Sequence, residues 1–168
     1  HFNHPRELTP EAIEGLNLLI KSGVMMVNQT PLVAGVNDDP EVLTELFSKL
    51  SYIGVPPYYV FLCRPTLGNE TYSVSVERGY EIFEKSRTLC SGLAKRARLV
   101  MSHESGKIEV VGMTEDQIFF KYARAAENDN NARFMAFYRN PKACWFDDYK
   151  EASDEFSLFS ETAKAGCL

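Results

Sequence analysis

The chain has 168 residues, a hydrophobic share of 45% and a formal net charge of -5. This length supports one cored domain with at most a small appendage. The acidic balance argues against a nucleic-acid-binding protein, which needs a basic face, and no apolar run reaches the roughly 18 residues of a membrane helix.

The cysteines and the first residue give the next expectations. Cys63, Cys90, Cys144 and Cys167 are far apart, without CxxC or Cys/His ligand spacing. We therefore expect reduced thiols in a cytoplasmic protein and no metal site built by this chain alone. From these residues we expect no signal peptide. Because the sequence begins at His1 within an apparent structural element, we expect a fragment of a longer protein.

The first hundred residues alternate between helical and strand-like patterns. Helices are expected over 10–22, 40–53 and 76–93, since capping residues precede the first two and glycines end them. The apolar runs Val24–Val27 and Tyr58–Leu62 are expected strands. This alternation is typical of βαβ units with a parallel sheet, and so few units cannot close a barrel, which takes about eight strands.

After residue 97 the pattern changes to short strand-like runs separated by turn residues. Four antiparallel strands are expected at Ala97–Met101, Lys107–Met113, Gln117–Ala123 and Arg133–Arg139. An acidic amphipathic stretch follows.

The predicted class is therefore α/β: the second half of an open (β/α) barrel, then an antiparallel β appendage and a C-terminal helix. The corresponding segments are 1–101, 102–147 and 148–168, the last of them the acidic tail.

Three positions invite a functional interpretation, and each has a plain structural alternative. Arg64 directly follows an apolar strand, so it either pairs with a protein acid or awaits an anionic ligand. Lys107 follows Gly106 between two strands, and is either a surface lysine or a Schiff-base former beside a glycine that admits a bulky ring. Gln29 lies at a strand end, where barrel proteins deliver active-site residues, and is either a ligand contact or a loop hydrogen-bonder.

Five segments in order carry a family resemblance. They are "HFNHPRELTPEA", "NQTPLVAGVNDDPEV", "PYYVFLC", "SGLA" and "SGKIEVV". Together they resemble the C-terminal part of a lysine 2,3-aminomutase-like protein of the radical S-adenosylmethionine superfamily. The resemblance covers about residues 1–112 well and the rest more loosely.

The resemblance implies an isomerase that moves an amino group from Cα to Cβ of an amino acid. It implies three cofactors: pyridoxal phosphate, S-adenosylmethionine and a four-iron four-sulfur cluster. Lys107 matches the family's pyridoxal phosphate lysine, and Gln29 and His1 match positions that line the S-adenosylmethionine site. The protein is further expected to be a cytoplasmic homo-oligomer that takes a small amino-acid substrate.

The chain also departs from the family pattern. The cluster motif CxxxCxxC is absent, so the isolated chain is expected to be inactive, with the cluster ligands in a missing N-terminal half. Asp39 occupies one place of the lysine enzymes' zinc-binding cysteines. The acids that receive the substrate ε-ammonium fall at Arg64 and near Ser102, which favours glutamate over lysine as substrate. The alternative from another class is an oligomerisation or binding domain that retains the fold without chemistry.

Overall fold

The computed structural model describes residues 1–150. Helices and strands alternate up to residue 97, and the described residues after it form β-strands and short 3-10 turns. The α-helices are α1 (Pro10–Lys21), α2 (Pro40–Ile53) and α3 (Val76–Leu89). The strands are β1 (Asn28–Leu32), β2 (Pro57–Leu62), β3 (Arg98–His103), β4 (Gly106–Met113), β5 (Gln117–Ala125) and β6 (Phe134–Tyr138). The expected C-terminal helix lies almost wholly outside the described residues.

The helix starts follow the capping chemistry that the sequence predicts. The Thr9 hydroxyl accepts a hydrogen bond from the Ala12 N–H at 3.2 Å, and the Asp39 carboxylate accepts one from the Glu41 N–H at 2.7 Å. Gly54 ends α2 with φ of 98°, a left-handed conformation that glycine adopts without strain. The third helix ends at Leu89, four residues earlier than expected.

The six strands form one open sheet in the order β1-β2-β3-β4-β5-β6. The first three strands are parallel and the rest antiparallel, so the predicted change of pattern falls within a continuous sheet. The strand β3 belongs to both arrangements, since it pairs in parallel with β2 and antiparallel with β4. The mixed α/β class is thus confirmed, and the four predicted strands of the second half are present.

One strand was predicted in the wrong place. The apolar run Val24–Val27 is not a strand, and Met25 within it is fully exposed. The first strand instead begins at Asn28, whose side chain accepts from the Phe2 N–H at 2.8 Å and donates to the Phe2 carbonyl at 2.9 Å. Buried polar groups need such partners, so this contact helps to position β1 together with the burial of Leu32 in the core.

The core lies on one face of the sheet. Buried side chains of α2 and α3, such as Phe47 and Phe83, pack there with Val60 and Leu99 of the central strands. A Cβ on Gly79 of α3 would lie 2.7 Å from a Leu62 methyl, so the helix approaches β2 closely. The segment after β6 completes this layer, because its aromatic rings contact the ring of Phe120.

A buried ion pair joins α3 to the end of β6. One Glu77 oxygen accepts from Arg139 Nε at 3.0 Å and Nη2 at 2.9 Å, and the other accepts from the Asn140 N–H at 2.7 Å. The Glu77 side chain is only 3% exposed. Burial raises the pKa of the nearby Tyr149 phenol, and the Glu77 charge raises it further. The Glu77 carboxylate therefore has complementary donors on both oxygens.

Within residues 1–150, no helix is both long and apolar enough to cross a membrane.

Candidate functional site

The sheet face opposite the helices, here called the open face, carries the candidate site. Strand alternation and register put Tyr59 and Phe61 of β2 on this face, beside Arg98 and Val100 of β3. Val100 pairs with Glu109 of β4, and Ser102 pairs with Lys107, so these side chains also belong to the open face. Thus the lysine that the sequence singled out projects away from the helical layer.

Lys107 reaches across β3 to two aromatic rings. Its Nζ lies 4.2 Å from the centroid of the Tyr59 ring and 5.1 Å from that of Phe61. Burial raises the pKa of the Tyr59 phenol. Among the described residues, no carboxylate lies within ion-pair distance of the Lys107 ammonium group. The amine is thus held by ring faces rather than by a counter-ion.

Glu109, two residues along the same strand, is engaged elsewhere. Its carboxylate lies 3.6 Å from Arg98 Nη1, and the Arg98 guanidinium carbon lies 5.9 Å from the Tyr59 ring centroid. Tyr59 therefore has two cations close to its ring, one paired with an acid and one not.

The two predicted substrate residues lie at the same edge of the sheet. Arg64 follows the end of β2 by two residues and is exposed, and Ser102 is exposed near the end of the parallel neighbour β3. The carboxyl ends of parallel strands share one edge. Within residues 1–150, the Arg64 guanidinium makes no ion pair with Glu70 or Glu104. In the described residues, the alternative that Arg64 pairs with a protein acid is therefore not observed.

The two positions predicted to line the S-adenosylmethionine site are Gln29 and His1. Gln29 pairs with Tyr59 in the β1–β2 register, which puts it on the open face. His1 is exposed and precedes Phe2, whose backbone is fastened to β1 by Asn28 and by the Thr30 hydroxyl. Gln29 and Lys107 thus flank Tyr59 from opposite sides, whereas the segment that begins at His1 is fastened to side chains on the other face of β1.

The role expected for Gly106 was wrong. A Cβ at this position would lie 2.3 Å from the Arg124 carbonyl oxygen and 2.7 Å from the Ala125 Cα. The backbone also has φ of 139° there, which a side chain disfavours. The glycine thus admits the backbone of β5, not a cofactor ring.

The side chains of the described residues suit one of the implied cofactors better than another. A primary amine on an aromatic surface, without an acid partner, suits a lysine that condenses with an aldehyde. Among the described residues, no three His, Cys, Asp or Glu side chains are grouped to hold a metal ion. Burial raises the pKa of the Cys63 thiol, which donates to the Leu32 carbonyl at 3.2 Å. The described part fits pyridoxal phosphate at Lys107, and it does not fit an iron–sulfur cluster.

Sequence reasoning missed a hydrogen-bonded chain on the other side of β3 and β4. His103 Nδ1 lies 2.7 Å from Ser105 Oγ, and His103 Nε2 lies 3.0 Å from Asp147 Oδ1. Ser105 Oγ also lies 2.9 Å from the Tyr122 hydroxyl. This cluster ties the segment after β6 to the β3–β4 turn. The 44-residue separation of His103 and Asp147 left no local signal in the sequence.

Comparison with known proteins identifies relatives of the chain. No protein-family model matches it. It is 55% identical over 156 residues to an Aquifex aeolicus protein provisionally named L-lysine 2,3-aminomutase, a match that covers 93% of this chain and 42% of that protein.

Two further relatives carry different substrate names. The chain is 45% identical over 92 residues to L-lysine 2,3-aminomutase of Clostridium subterminale, covering 55% of this chain and 22% of that protein. It is 38% identical over 106 residues to glutamate 2,3-aminomutase of Clostridioides difficile, covering 63% and 25%. The chain spans less than half the length of these relatives. It belongs to the lysine 2,3-aminomutase-like proteins and corresponds to part of their length.

Proposed function

We propose that the full-length protein is an amino-acid 2,3-aminomutase that holds pyridoxal phosphate on Lys107. The observation that carries the proposal is the placement of the Lys107 amine on the open face, against Tyr59 and Phe61 and away from carboxylates. An amine in this setting is free to approach an aldehyde, because no carboxylate of the described residues holds it in an ion pair. The names of the relatives support the same reaction class.

The residues of this chain would bind and orient the reacting groups. The rings of Tyr59 and Phe61 exclude water from one side of Lys107 Nζ and restrict where it points. When bound, pyridoxal phosphate supplies the electron delocalisation that amino-group migration requires. Gln29 and His1 are our candidates for contacts to S-adenosylmethionine, which together with an iron–sulfur cluster would supply the hydrogen-abstracting radical.

The cluster ligands would come from sequence outside this chain. The four cysteines form no CxxxCxxC motif, and Cys63, Cys90 and Cys144 are free thiols. Free thiols agree with a cytoplasmic location, which we also propose.

We expect iron and sulfide reconstitution of the isolated 168 residues to give no stoichiometric cluster and no cleavage of S-adenosylmethionine. The reason is the lack of a cysteine ligand set. Iron analysis and the visible spectrum provide the measurement. A stoichiometric cluster on this chain would contradict the assignment of the ligands to another part of the protein.

We propose glutamate as the substrate, with Arg64 as the residue that selects it. A guanidinium is always charged and offers a planar fork of donors to a carboxylate. Arg64 lies at the carboxyl edge of the sheet, and in the described residues its guanidinium is not engaged by an acid. A lysine substrate would bring a second cation to this place, whereas a glutamate γ-carboxylate could form a bidentate pair. Ser102 could add a neutral hydrogen bond.

Replacing Arg64 by aspartate should abolish turnover of L-glutamate by the reconstituted full-length enzyme. A charge-assisted pair that the bound substrate shields from water costs about 2–5 kcal/mol when it is lost, which is a factor of about thirty or more in kcat/KM. Turnover of L-glutamate and L-lysine by wild type and variant is the measurement.

A control for this experiment is Arg96→Asp, which introduces the same charge reversal at an exposed position between α3 and β3. That variant should keep the wild-type preference. A wild-type enzyme that turns over lysine and ignores glutamate would contradict the assignment of Arg64, although not the aminomutase proposal.

A non-catalytic oligomerisation domain remains the second candidate function. The fully exposed side chains of Met25 and Tyr52 favour a protein contact on the side of α1 and α2. The discriminating observation is the spectrum of the purified full-length protein. A yellow, borohydride-sensitive chromophore supports the enzyme, while a colourless protein without cluster motif supports the domain.

We also propose that the isolated 168-residue chain self-associates. In the described residues the sheet is open, so β1 and β6 are its edge strands, and unpaired edges recruit other chains. Light scattering should therefore give a dimer or a larger assembly. A stable monomer at every concentration would contradict this expectation.

A further inference from the structure

The nearest acid along the strand from Lys107 is Glu109, and it has another partner. Alternate residues of a strand lie on the same face about 6.6 Å apart, a separation that a lysine and a glutamate side chain can close. In the structure the Glu109 carboxylate instead lies 3.6 Å from Arg98 Nη1. Arg98 is two residues from Val100, the register partner of Glu109, so it reaches Glu109 diagonally across β3 and β4.

The Tyr59 ring lies close to both cations, Arg98 and Lys107. Tyr59 is the register partner of Arg98, and its ring centroid lies 5.9 Å from the Arg98 guanidinium carbon and 4.2 Å from Lys107 Nζ. The glutamate side chain is 23% exposed and the arginine side chain 46%, so the pair is partly shielded from water. On the open face, the Glu109 carboxylate therefore pairs with Arg98, whereas the Lys107 amine contacts the Tyr59 ring.

We propose that Arg98 is a positioning residue for Lys107: by engaging Glu109, it prevents a Lys107–Glu109 ion pair and leaves the amine available to an aldehyde. An ion pair with a carboxylate stabilises the ammonium form, which is not a nucleophile. The role of Lys107 toward an aldehyde rests on the proposed function, but the competition for Glu109 does not depend on it.

The experiment compares four variants of the full-length protein: Arg98→Met, Glu109→Gln, the double variant Arg98→Met/Glu109→Gln, and Arg98→Lys. The first readout is the rate at which acetic anhydride modifies Lys107 in cofactor-free protein, measured by peptide mass spectrometry. The second is the fraction of Lys107 that borohydride fixes to added pyridoxal phosphate.

The Arg98→Met variant should react about two- to fivefold more slowly at Lys107, the range of a partly exposed ion pair. The double variant should return to the wild-type rate, because the competing acid has been removed. Glu109→Gln alone and Arg98→Lys should leave the rate unchanged. Rescue by the second substitution is the diagnostic result, since simple loss of packing at Arg98 would not be repaired by it.

An unchanged rate in Arg98→Met overturns the inference, including the case in which Lys121, the register partner of Glu109, takes the freed acid. A slow rate that persists in the double variant overturns it as well. If the acetylation rates follow the expectation but borohydride fixes no cofactor on Lys107, the proposed function fails and the control of Lys107 by Arg98 stands.

Discussion

Replacing Lys107 by alanine should remove both the cofactor linkage and the activity of the full-length enzyme. The amine is the only group at this position that can bond covalently to an aldehyde, and its loss cannot be replaced by the neighbouring rings. Removal of a residue that bonds covalently during catalysis typically costs a factor of about a thousand or more. We expect no absorbance from bound pyridoxal phosphate near the visible edge, and no fixation by borohydride.

Lys121→Ala is the matched control for this substitution. Lys121 lies on the neighbouring strand β5 opposite Glu109, and it is exposed. That variant should retain the absorbance, the borohydride labelling and the activity. If borohydride labels a lysine other than Lys107 in the wild type, the assignment of the cofactor lysine is wrong.

The second large effect concerns stability. Arg139→Ala should lower the free energy of unfolding by about 3 kcal/mol, because it leaves the Glu77 carboxylate buried without its cation. Replacing Arg139 by methionine and Glu77 by glutamine should restore much of the loss, since the unpaired charge is removed while the amide oxygen can still accept from the Asn140 N–H. Denaturant unfolding of the three proteins provides the measurement.

An exposed pair on the same helix provides the comparison. Arg78 and Glu81 of α3 lie 3.4 Å apart, with side chains 60% and 51% exposed. Arg78→Ala should cost less than about 1 kcal/mol. Equal effects of Arg78→Ala and Arg139→Ala would contradict the view that the corner around Glu77 depends on burial of its charge.

The sequence predicted the elements whose signals are local. The starts of α1 and α2 follow from Thr9 and Asp39, and the four strands after residue 97 follow from their apolar runs. The position of β1 was missed because its buried residues include Asn28 and Thr30, whose partner is the distant Phe2. Hydrophobic patterning cannot locate a strand whose burial depends on hydrogen bonds between segments 26 residues apart.

The sequence proposed residues for the candidate site but could not predict their contacts. Lys107 and Arg64 were singled out by position and resemblance, yet the rings around Lys107 come from β2, which is separated from it in the sheet by β3. Such contacts depend on register between strands, which the sequence leaves open. The glycine beside the lysine was misread for the same reason, because the chain that approaches it is β5.

The hairpin between β3 and β4 determines which side of the sheet receives the amine. His103 pairs with Gly106 across a turn of only Glu104 and Ser105, and this pairing sets Lys107 opposite Ser102. A slip of β4 by one residue would reverse every side chain on the strand. The amine would then face the apolar layer, and Ile108 would face outward. The contact of Gly106 with the β5 backbone leaves no room for a side chain. It therefore opposes such a slip and keeps the Lys107 amine on the open face.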